Sequence, residues 1–182
     1  MRIPRDGGAR AGVIRLERLG PEHAAAILEG QDAELAGEIV GERWNRGSLD
    51  SFLARAARWR ADGPIREFAA RYETEAETGA LIGGGGLNLL DPGLTRAEAA
   101  LTYWVLAAHR GRGHGRELAA ALVGRAQADP RISRLVLRIA PMNGASRTLA
   151  RSIGAVPTGE VERHPADAAR VVDRWVLELD RN

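Results

Sequence analysis

The stretch Val105-Leu-Ala-Ala-His-Arg110-Gly-Arg-Gly-His-Gly115 joins a strand-like run to a helix-like run, and its three glycines alternate with larger residues. Alternating glycines let the backbone turn tightly where a helix begins and expose successive N–H groups, and the helix dipole adds positive potential there. The pattern predicts an anion site suited to a pyrophosphate. Arg110, Arg112 and Arg116 can add charge-assisted hydrogen bonds to it.

Two other interpretations of these glycines stay open. The dinucleotide-binding motif Gly-x-Gly-x-x-Gly needs glycine at its sixth place, and counting from Gly111 that place is Arg116, which weakens this interpretation. An ordinary glycine turn before a helix is the second, because one short motif is weak evidence by itself.

The elements around this loop form one crossover unit. Patterns predict a strand over Ala99–Leu106, a helix from about Gly115 that is closed by Asp129-Pro130, and a buried strand over Leu135–Ile139. Two strands of one sheet that are joined through a helix run parallel to each other. We therefore expect a parallel strand pair with the loop at its carboxyl end.

The rest of the chain adds elements on both sides of this unit. Residues 1–12 contain three glycines and a proline without periodicity and are interpreted as a flexible lead-in to a single domain over residues 13–182. The further predicted elements are a strand at Val13–Leu16, three helical pieces between Pro21 and Gly63 with Ser48 or Asp50 capping the third, antiparallel strands at Ile65–Tyr72 and Ala80–Leu90, a helix at Ser146–Ser152, and strands at Val156–Val161 and Val171–Leu179.

Composition excludes several classes of protein. The 182 residues are 45% hydrophobic and 27% charged, ordinary values for one globular domain, and no apolar run is long enough for a membrane span, so we expect a cytoplasmic protein without a membrane partner. The absence of cysteine removes disulfides and thiolate sites, and four scattered histidines argue against a metal centre. All 26 basic residues are arginine, and the absence of lysine excludes Schiff-base chemistry. Because 24 acidic residues offset the arginines, nucleic-acid binding is not expected.

A second motif follows the loop at a suitable distance. Asn143-Gly-Ala-Ser146-Arg-Thr-Leu149 precedes Ile153-Gly154. Together with Arg110-x-x-Gly113-x-Gly115 after a strand, this arrangement resembles the GNAT N-acetyltransferases, which bind acetyl-coenzyme A. The residues and spacing of both motifs are most similar to the branch that contains the ribosomal-protein N-terminal acetyltransferases. The resemblance covers about residues 13–180.

The resemblance implies a fold and a set of cofactor contacts. It implies an α/β domain with a mixed, splayed sheet of six or seven strands and helices on both faces. The pantetheine arm of acetyl-coenzyme A would lie where two strands part, beside Val105, Leu106 and Ala107, and would be bound by Asn143, whose other possible role is to cap a helix. The pyrophosphate would lie on the loop formed by Arg110, Gly111, Arg112, Gly113, His114, Gly115 and Arg116.

The catalytic groups are less defined. A backbone N–H near Val105 would polarise the thioester carbonyl. Many family members carry a tyrosine that protonates the leaving thiolate, at the position where this chain has Ala150. Ser146 is therefore the remaining candidate for the general acid, although it could instead only cap or satisfy the start of the helix. Glu98 is the candidate base or a solvated strand-edge glutamate, and catalysis by positioning alone would need neither residue.

The acceptor is expected to be a primary amine, either a protein N-terminus or a small molecule. Arg43 and Trp44 lie in the region that walls the acceptor site in this family, although a core role for the tryptophan is the simpler interpretation. One alternative is a non-catalytic acyl-coenzyme A-binding module, because the resemblance implies a carboxylate where this chain has Ala100 and a tyrosine where it has Ala150. The other alternative is an arginine-rich nucleic-acid binder. A homodimer through the C-terminal strands is implied only by the resemblance to the family. The glycine run Gly83–Gly86 is interpreted as a bulge or as close packing inside a strand.

Overall fold

The computed structural model describes residues 12–39, 43–74, 77–165 and 167–180. Most of the predicted lead-in lies outside these residues. Among the described residues, seven strands form one sheet in the order β1-β2-β3-β4-β5-β7-β6. The strands are β1 Val13–Arg18, β2 Ile65–Thr74, β3 Glu77–Asn88, β4 Glu98–Val105, β5 Arg134–Ile139, β6 Val156–His164 and β7 Asp167–Glu178.

Five α-helices connect these strands within the described part of the chain: α1 Ala24–Gly30, α2 Ala33–Ile39, α3 Arg46–Ala56, α4 His114–Gln127 and α5 Gly144–Ser152. The predicted cap of α3 is wrong, because Asn45 caps this helix and its side chain accepts from the N–H of Ser48. No helix of the described residues is long and apolar enough to cross a membrane.

The predicted meander and crossover are both confirmed. Strands β1 to β4 pair antiparallel in chain order, whereas β4 and β5 pair parallel and are joined through α4. The final hairpin places β7 between β5 and β6, and both of its pairings are antiparallel. The sheet is therefore mixed, as expected.

Helices pack on both faces of the sheet. Leu118 and Leu122 of α4 belong to one buried cluster, which also contains Trp175 of β7. Leu49 and Leu53 of α3 belong to a second cluster with residues of α1 and the sheet. This arrangement confirms the predicted two-sided α/β architecture.

The glycine run of β3 lets neighbouring chains approach closely. A Cβ added at Gly83 would lie 2.1 Å from the carbonyl oxygen of Trp104, and one added at Gly84 would lie 2.6 Å from the indole ring of the same residue. At Gly86 the added atom would lie 2.5 Å from a carboxylate oxygen of Glu67. These contacts confirm close packing.

Strands β4 and β5 separate soon after they meet. Their pairing covers only Glu98–Ala100 on β4, opposite Arg134–Val136 on β5. The rest of β4, up to Val105, continues without β5 beside it. This divergence opens a gap in the middle of the sheet that ends at the glycine loop.

Candidate active site

The glycine loop has the geometry of an anion site. Gly111 and Gly113 have φ angles of 71° and 88°, which L side chains rarely adopt. Gly113 precedes the first residue of α4, and no side chain caps this helix start. Cβ atoms added at the two glycines would meet no protein atom within 4 Å, so the space in front of the loop is open. Uncapped N–H groups and the helix dipole favour an anion there.

Two of the three loop arginines are available to such an anion. Arg112 and Arg116 are exposed, and they make no ion pair or side-chain hydrogen bond with any residue that the structure describes. Phosphate oxygens approaching the α4 N-terminus would therefore meet two uncommitted guanidinium groups.

Arg110 is committed elsewhere. Its two terminal nitrogens donate to the carboxylate of Asp32 over 2.7 and 2.9 Å, and one of them also pairs with Glu34 at 2.9 Å. Its Nε donates to the carbonyl oxygen of Val105 over 3.0 Å. The hydrogen bond from Arg110, with a further one from the Leu35 N–H, lowers the pKa of Asp32. The predicted phosphate contact of this guanidinium is therefore replaced by a tie between the loop and α2.

His114 also differs from its predicted role. The residue is 8% exposed, and its ring centroid lies 4.5 Å from that of Tyr72, so the imidazole faces the interior. Its backbone N–H, at the first position of α4, remains suited to an anion. His109 lies beside it, and the pKa of His109 is lowered by burial and by the nearby His114 and Arg112.

The edge of β4 that faces the gap is set by the pairing with β3. The N–H of Leu106 donates to the carbonyl of Ile82 over 2.9 Å, so it points toward β3. Since alternate residues of a strand face opposite edges, Val105 directs its N–H toward the gap. The geometry at Val105 is compatible with the predicted pantetheine contact, whereas the N–H of Leu106 is already bonded. Ala107 lies in a short 3₁₀ helix, Ala107–His109, outside the strand.

The far side of the gap is formed by the start of α5. Asn143 caps this helix, and its Oδ1 accepts from the N–H of Ser146 over 2.8 Å. The side-chain NH₂ of Asn143 makes no hydrogen bond with the described residues, so capping and ligand binding are compatible. Tyr103 reaches across the gap and donates its hydroxyl to the carbonyl of Ser146 over 3.2 Å. Tyr103 was missed as a site residue, although strand alternation placed it on the same side as Val105.

Glu98 lies at the opposite end of β4 from the loop. Val105 lies seven positions further along the strand, which corresponds to about 23 Å of extended chain. Its carboxylate accepts from the Thr95 N–H and from Arg174 over 2.8 and 2.9 Å, and Arg134 lies 3.3 Å away. Burial alone would raise the pKa of Glu98, but the hydrogen bonds from Thr95 and Arg174 outweigh it and lower the pKa. Its position and its weak basicity both argue against the predicted role as the base.

Among the described residues, neither Arg43 nor Trp44 contacts a residue that lines the gap. Arg43 is exposed. The backbone of Trp44 is held by the side chain of Gln31 through two hydrogen bonds of 2.8 Å, and its ring stacks on Phe52 with centroids 5.3 Å apart. Trp44 therefore packs as part of the α1–α3 layer.

The described residues contain no group of three His, Asp or Glu side chains that could hold a metal ion. A cavity of about 570 Å³ lies at the β1–β2 edge between the ends of α3 and α4, lined among others by Trp59, Glu67 and Arg131. It lies at the C-terminal end of α4 and is distinct from the glycine loop.

The splayed parallel pair, the uncapped α4 and the asparagine-capped α5 together define an acyltransferase-type α/β domain. Residues 14–156 match the family model described as the acetyltransferase (GNAT) domain, so the chain belongs to the GNAT acetyltransferase family. This confirms the predicted superfamily, whose enzymes use acetyl-coenzyme A. The loop residues fit that cosubstrate, because the α4 N–H groups, Arg112 and Arg116 face open space in front of it.

Solved structures share the fold at low sequence identity. Spermidine N-acetyltransferase from Vibrio cholerae, solved with CoA and spermine, is 16% identical with a TM-score of 0.72, covering 91% of this chain and 95% of that one. RimJ from Mycobacterium smegmatis, solved with CoA-disulfide, is 19% identical with a TM-score of 0.74, covering 93% and 84%. Aminoglycoside acetyltransferase AAC(6')-Ib, solved with coenzyme A and kanamycin, is 15% identical with a TM-score of 0.72, covering 91% and 94%. No curated protein sequence gives a significant match.

Proposed function

We propose that this chain transfers an acetyl group from acetyl-coenzyme A to a primary amine by direct attack in a ternary complex. One observation carries the proposal: the unpaired gap-facing edge of β4 at Val105 leads directly into an α4 N-terminus without a side-chain cap. The first feature suits the pantetheine arm and the second suits the pyrophosphate of the same molecule.

Each residue of the gap then has a specific part in holding the donor. The backbone N–H groups from Gly113 to Gly115 bind the pyrophosphate, and Arg112 and Arg116 add charge-assisted bonds from its exposed side. Val105 and the Asn143 amide contact the pantetheine arm from opposite sides of the gap. Arg110 holds the loop in place through its bonds to Asp32 and to the Val105 carbonyl.

The chemistry requires a polarised carbonyl and a route for the thiolate to leave. Acetyl-coenzyme A supplies an activated thioester. A gap-facing backbone N–H near Val105 acts as the oxyanion donor. Thiols ionise near pH 8–9, so the thiolate leaves without a strong acid. The hydroxyls of Ser146 and Tyr103, at the start of α5, are the groups that we assign to protonating it.

The finer features of the proposal concern the acceptor and the assembly. The solved relatives include proteins crystallised with spermine and with kanamycin, and RimJ is among them. The loop and second motifs favour the ribosomal-protein N-terminal branch, with a protein N-terminus or a small-molecule amine as acceptor. We retain a single domain over residues 13–182, a cytoplasmic location and a homodimer through the C-terminal strands as parts of the same hypothesis.

The test is a thermal-shift titration of the wild type with acetyl-coenzyme A, free coenzyme A, ATP and NADH. A ligand at about 100 times its dissociation constant stabilises by about 2.7 kcal/mol, or roughly 5–11 °C for a domain of this size. We expect only the coenzyme A ligands to raise the melting temperature. A response to ATP or NADH alone would reassign the loop.

The matched variant is Gly113→Glu. This position faces open space, so the glutamate places a negative charge where the pyrophosphate would lie, and the φ of 88° adds local backbone strain. We expect the variant to fold and to lose the coenzyme A response. Binding without transfer to any amine would instead indicate the non-catalytic acyl-coenzyme A module.

A further inference from the structure

Glu67 lies on the sheet face next to the strand that carries the open gap. In the registers of β2, β3 and β4, Glu67 pairs with Gly86, and Gly86 pairs with Thr102. Directly paired residues share a face of the sheet, so the three form one row across it. Thr102 lies three residues, or about 10 Å, before Val105 along β4.

The carboxylate of Glu67 leans along this row toward β4. A Cβ at Gly86 would lie 2.5 and 2.7 Å from its two oxygens, so the carboxylate occupies the space that the glycine leaves empty. It therefore lies about one strand spacing, roughly 5 Å, from β4. Thr102 at the end of the row is exposed although β4 is an interior strand, so this part of the face is open to solvent.

No described residue forms an ion pair with this carboxylate, although Glu67 lines the cavity at the β1–β2 edge together with Arg60, Arg125 and Arg131. Arg60 pairs with Asp62, and Arg131 pairs with Asp129. On the neighbouring strand β1, Glu17 is bonded to His23 and Arg71, and Arg18 donates to the carbonyl of Ala57. On β2 itself, Arg66 pairs with Asp129 at 2.9 Å. The side of α3 that faces the sheet is apolar, with Leu49, Leu53 and Ala56 buried, while its charged pair Arg46–Asp50 is exposed. Burial without a cation raises the pKa of Glu67 to about 7.

We propose that the carboxylate of Glu67 attracts the ammonium group of the acceptor and accepts its proton through an intervening water before the attack near Val105. The inference rests on the proposed transfer to an amine and replaces Glu98 with a residue of a different strand. An unpaired carboxylate beside an open part of the sheet face attracts a cation, and the acceptor amine is a cation at neutral pH.

In this step the ammonium gives one proton to the Glu67 carboxylate, and the freed lone pair forms the C–N bond to the thioester carbon. The C–S bond breaks with its electron pair on sulfur, and the second proton of the nitrogen goes to the thiolate. Glu67 returns its proton to water, so that one ammonium and one thioester give one amide, one thiol and one released proton.

The test compares the wild type with Glu67→Gln in steady-state acetyl transfer between pH 6 and pH 10. The probes are spermidine, kanamycin and a short peptide with a free N-terminus, each with acetyl-coenzyme A. We expect kcat/KM of Glu67→Gln to be roughly 100-fold lower at pH 7, in the range of a lost general base. The difference should shrink as the pH approaches the pKa of the amine, because the solvent then removes the proton.

Two further variants separate this role from a structural one. Glu73→Gln makes the same chemical change on the same strand, at the partly exposed partner of Arg15, and should follow the wild-type profile. Gly86→Ala retains the carboxylate but places a methyl group where it lies, and should also lower kcat/KM. The coenzyme A thermal shift should be unchanged in all three variants.

The outcomes distinguish this inference from the proposed function. Transfer by the wild type with an identical pH profile for Glu67→Gln would overturn the role of Glu67 and leave the proposed function intact. Binding of acetyl-coenzyme A by the wild type without transfer to any of the three amines would overturn both. A loss at pH 7 that alkaline pH restores supports both.

Discussion

Glu98 and Glu67 are both glutamates on interior strands of one sheet, yet their surroundings differ in one respect that decides their chemistry. Glu98 is 5% exposed and is contacted by two guanidinium groups and a backbone N–H. Glu67 is half-buried, lies over a glycine and forms no ion pair with any described residue. The pKa of the first is lowered, and burial raises the pKa of the second to about 7.

The difference shows that burial alone does not decide whether a carboxylate is structural or reactive. A buried charge that is fully paired stabilises the ionised form and makes a poor base. A buried charge without a partner is costly to the fold, and such costs are concentrated at functional sites. Changing one partner at a time separates the two cases.

The largest effect is expected for Glu98→Ala. The change removes the nearest carboxylate from Arg174, whose side chain is 11% exposed, and leaves it with the longer contacts to Glu160 at 3.6 Å and Glu162 at 3.8 Å. Breaking a buried ion pair from one side costs about 3 kcal/mol. Urea unfolding at pH 7 should show this loss, while the coenzyme A thermal shift should be retained.

The control for that variant is Glu178→Ala, which removes a 62% exposed partner of Arg134 and should cost little. If Glu98→Ala lowered the free energy of unfolding by no more than this control, the contrast between the two glutamates would be lost.

A smaller effect of opposite sign is expected for Glu67→Gln. The pKa of Glu67 is raised from 4.5 to about 7, so the folded state is favoured while the group is protonated and loses stability as the pH rises through this range. Above pH 7 the glutamine variant avoids that cost and should be more stable by about 1–2 kcal/mol, a figure reduced for residual solvent contact. Unfolding at pH 4.5 and pH 8 checks this expectation: wild type and variant should agree at the lower pH. A destabilised variant at pH 8 would contradict it.

The smallest effect is expected for Arg134→Ala. This side chain is 42% exposed, and Arg174 remains on Glu98 after the change. A loss of at most about 0.5 kcal/mol follows for such an exposed pair. Thermal unfolding of the single variant, and of the double variant with Arg174→Ala, measures how the two cations share the carboxylate. A single-variant loss near that of Glu98→Ala would show that Arg134 is the main partner.

Local patterns predicted the fold well. Period-two runs gave the meander, and the strand–loop–helix–strand order gave the parallel pair of β4 and β5. The position of the glycine loop was predicted correctly, because the positive φ angles at residues 111 and 113 require glycine and are therefore visible in the sequence. Helix starts were less accurate, since Asn45 and Ser48 are both good capping residues and only the structure shows which one accepts.

Long-range partners could not be predicted. Asp32 lies 78 positions before Arg110, and no local pattern indicates that it takes this guanidinium. The same limit applies to Glu98, whose partner Arg174 lies 76 positions away. Glu67 carried a weak signal, a charged residue within a strand opposite a run of glycines, but its missing partner is a property of the fold alone.

The tie between Arg110 and Asp32 has a consequence for the helix that follows Asp32 when the donor binds. It joins the loop on which the donor would lie to the start of α2, so the conformations of the two segments are coupled. Free energy that orders the loop is then transmitted to α2, and linkage requires the reverse as well. We therefore expect donor binding to order α2 together with the loop, and this coupling to be lost when Arg110 is replaced.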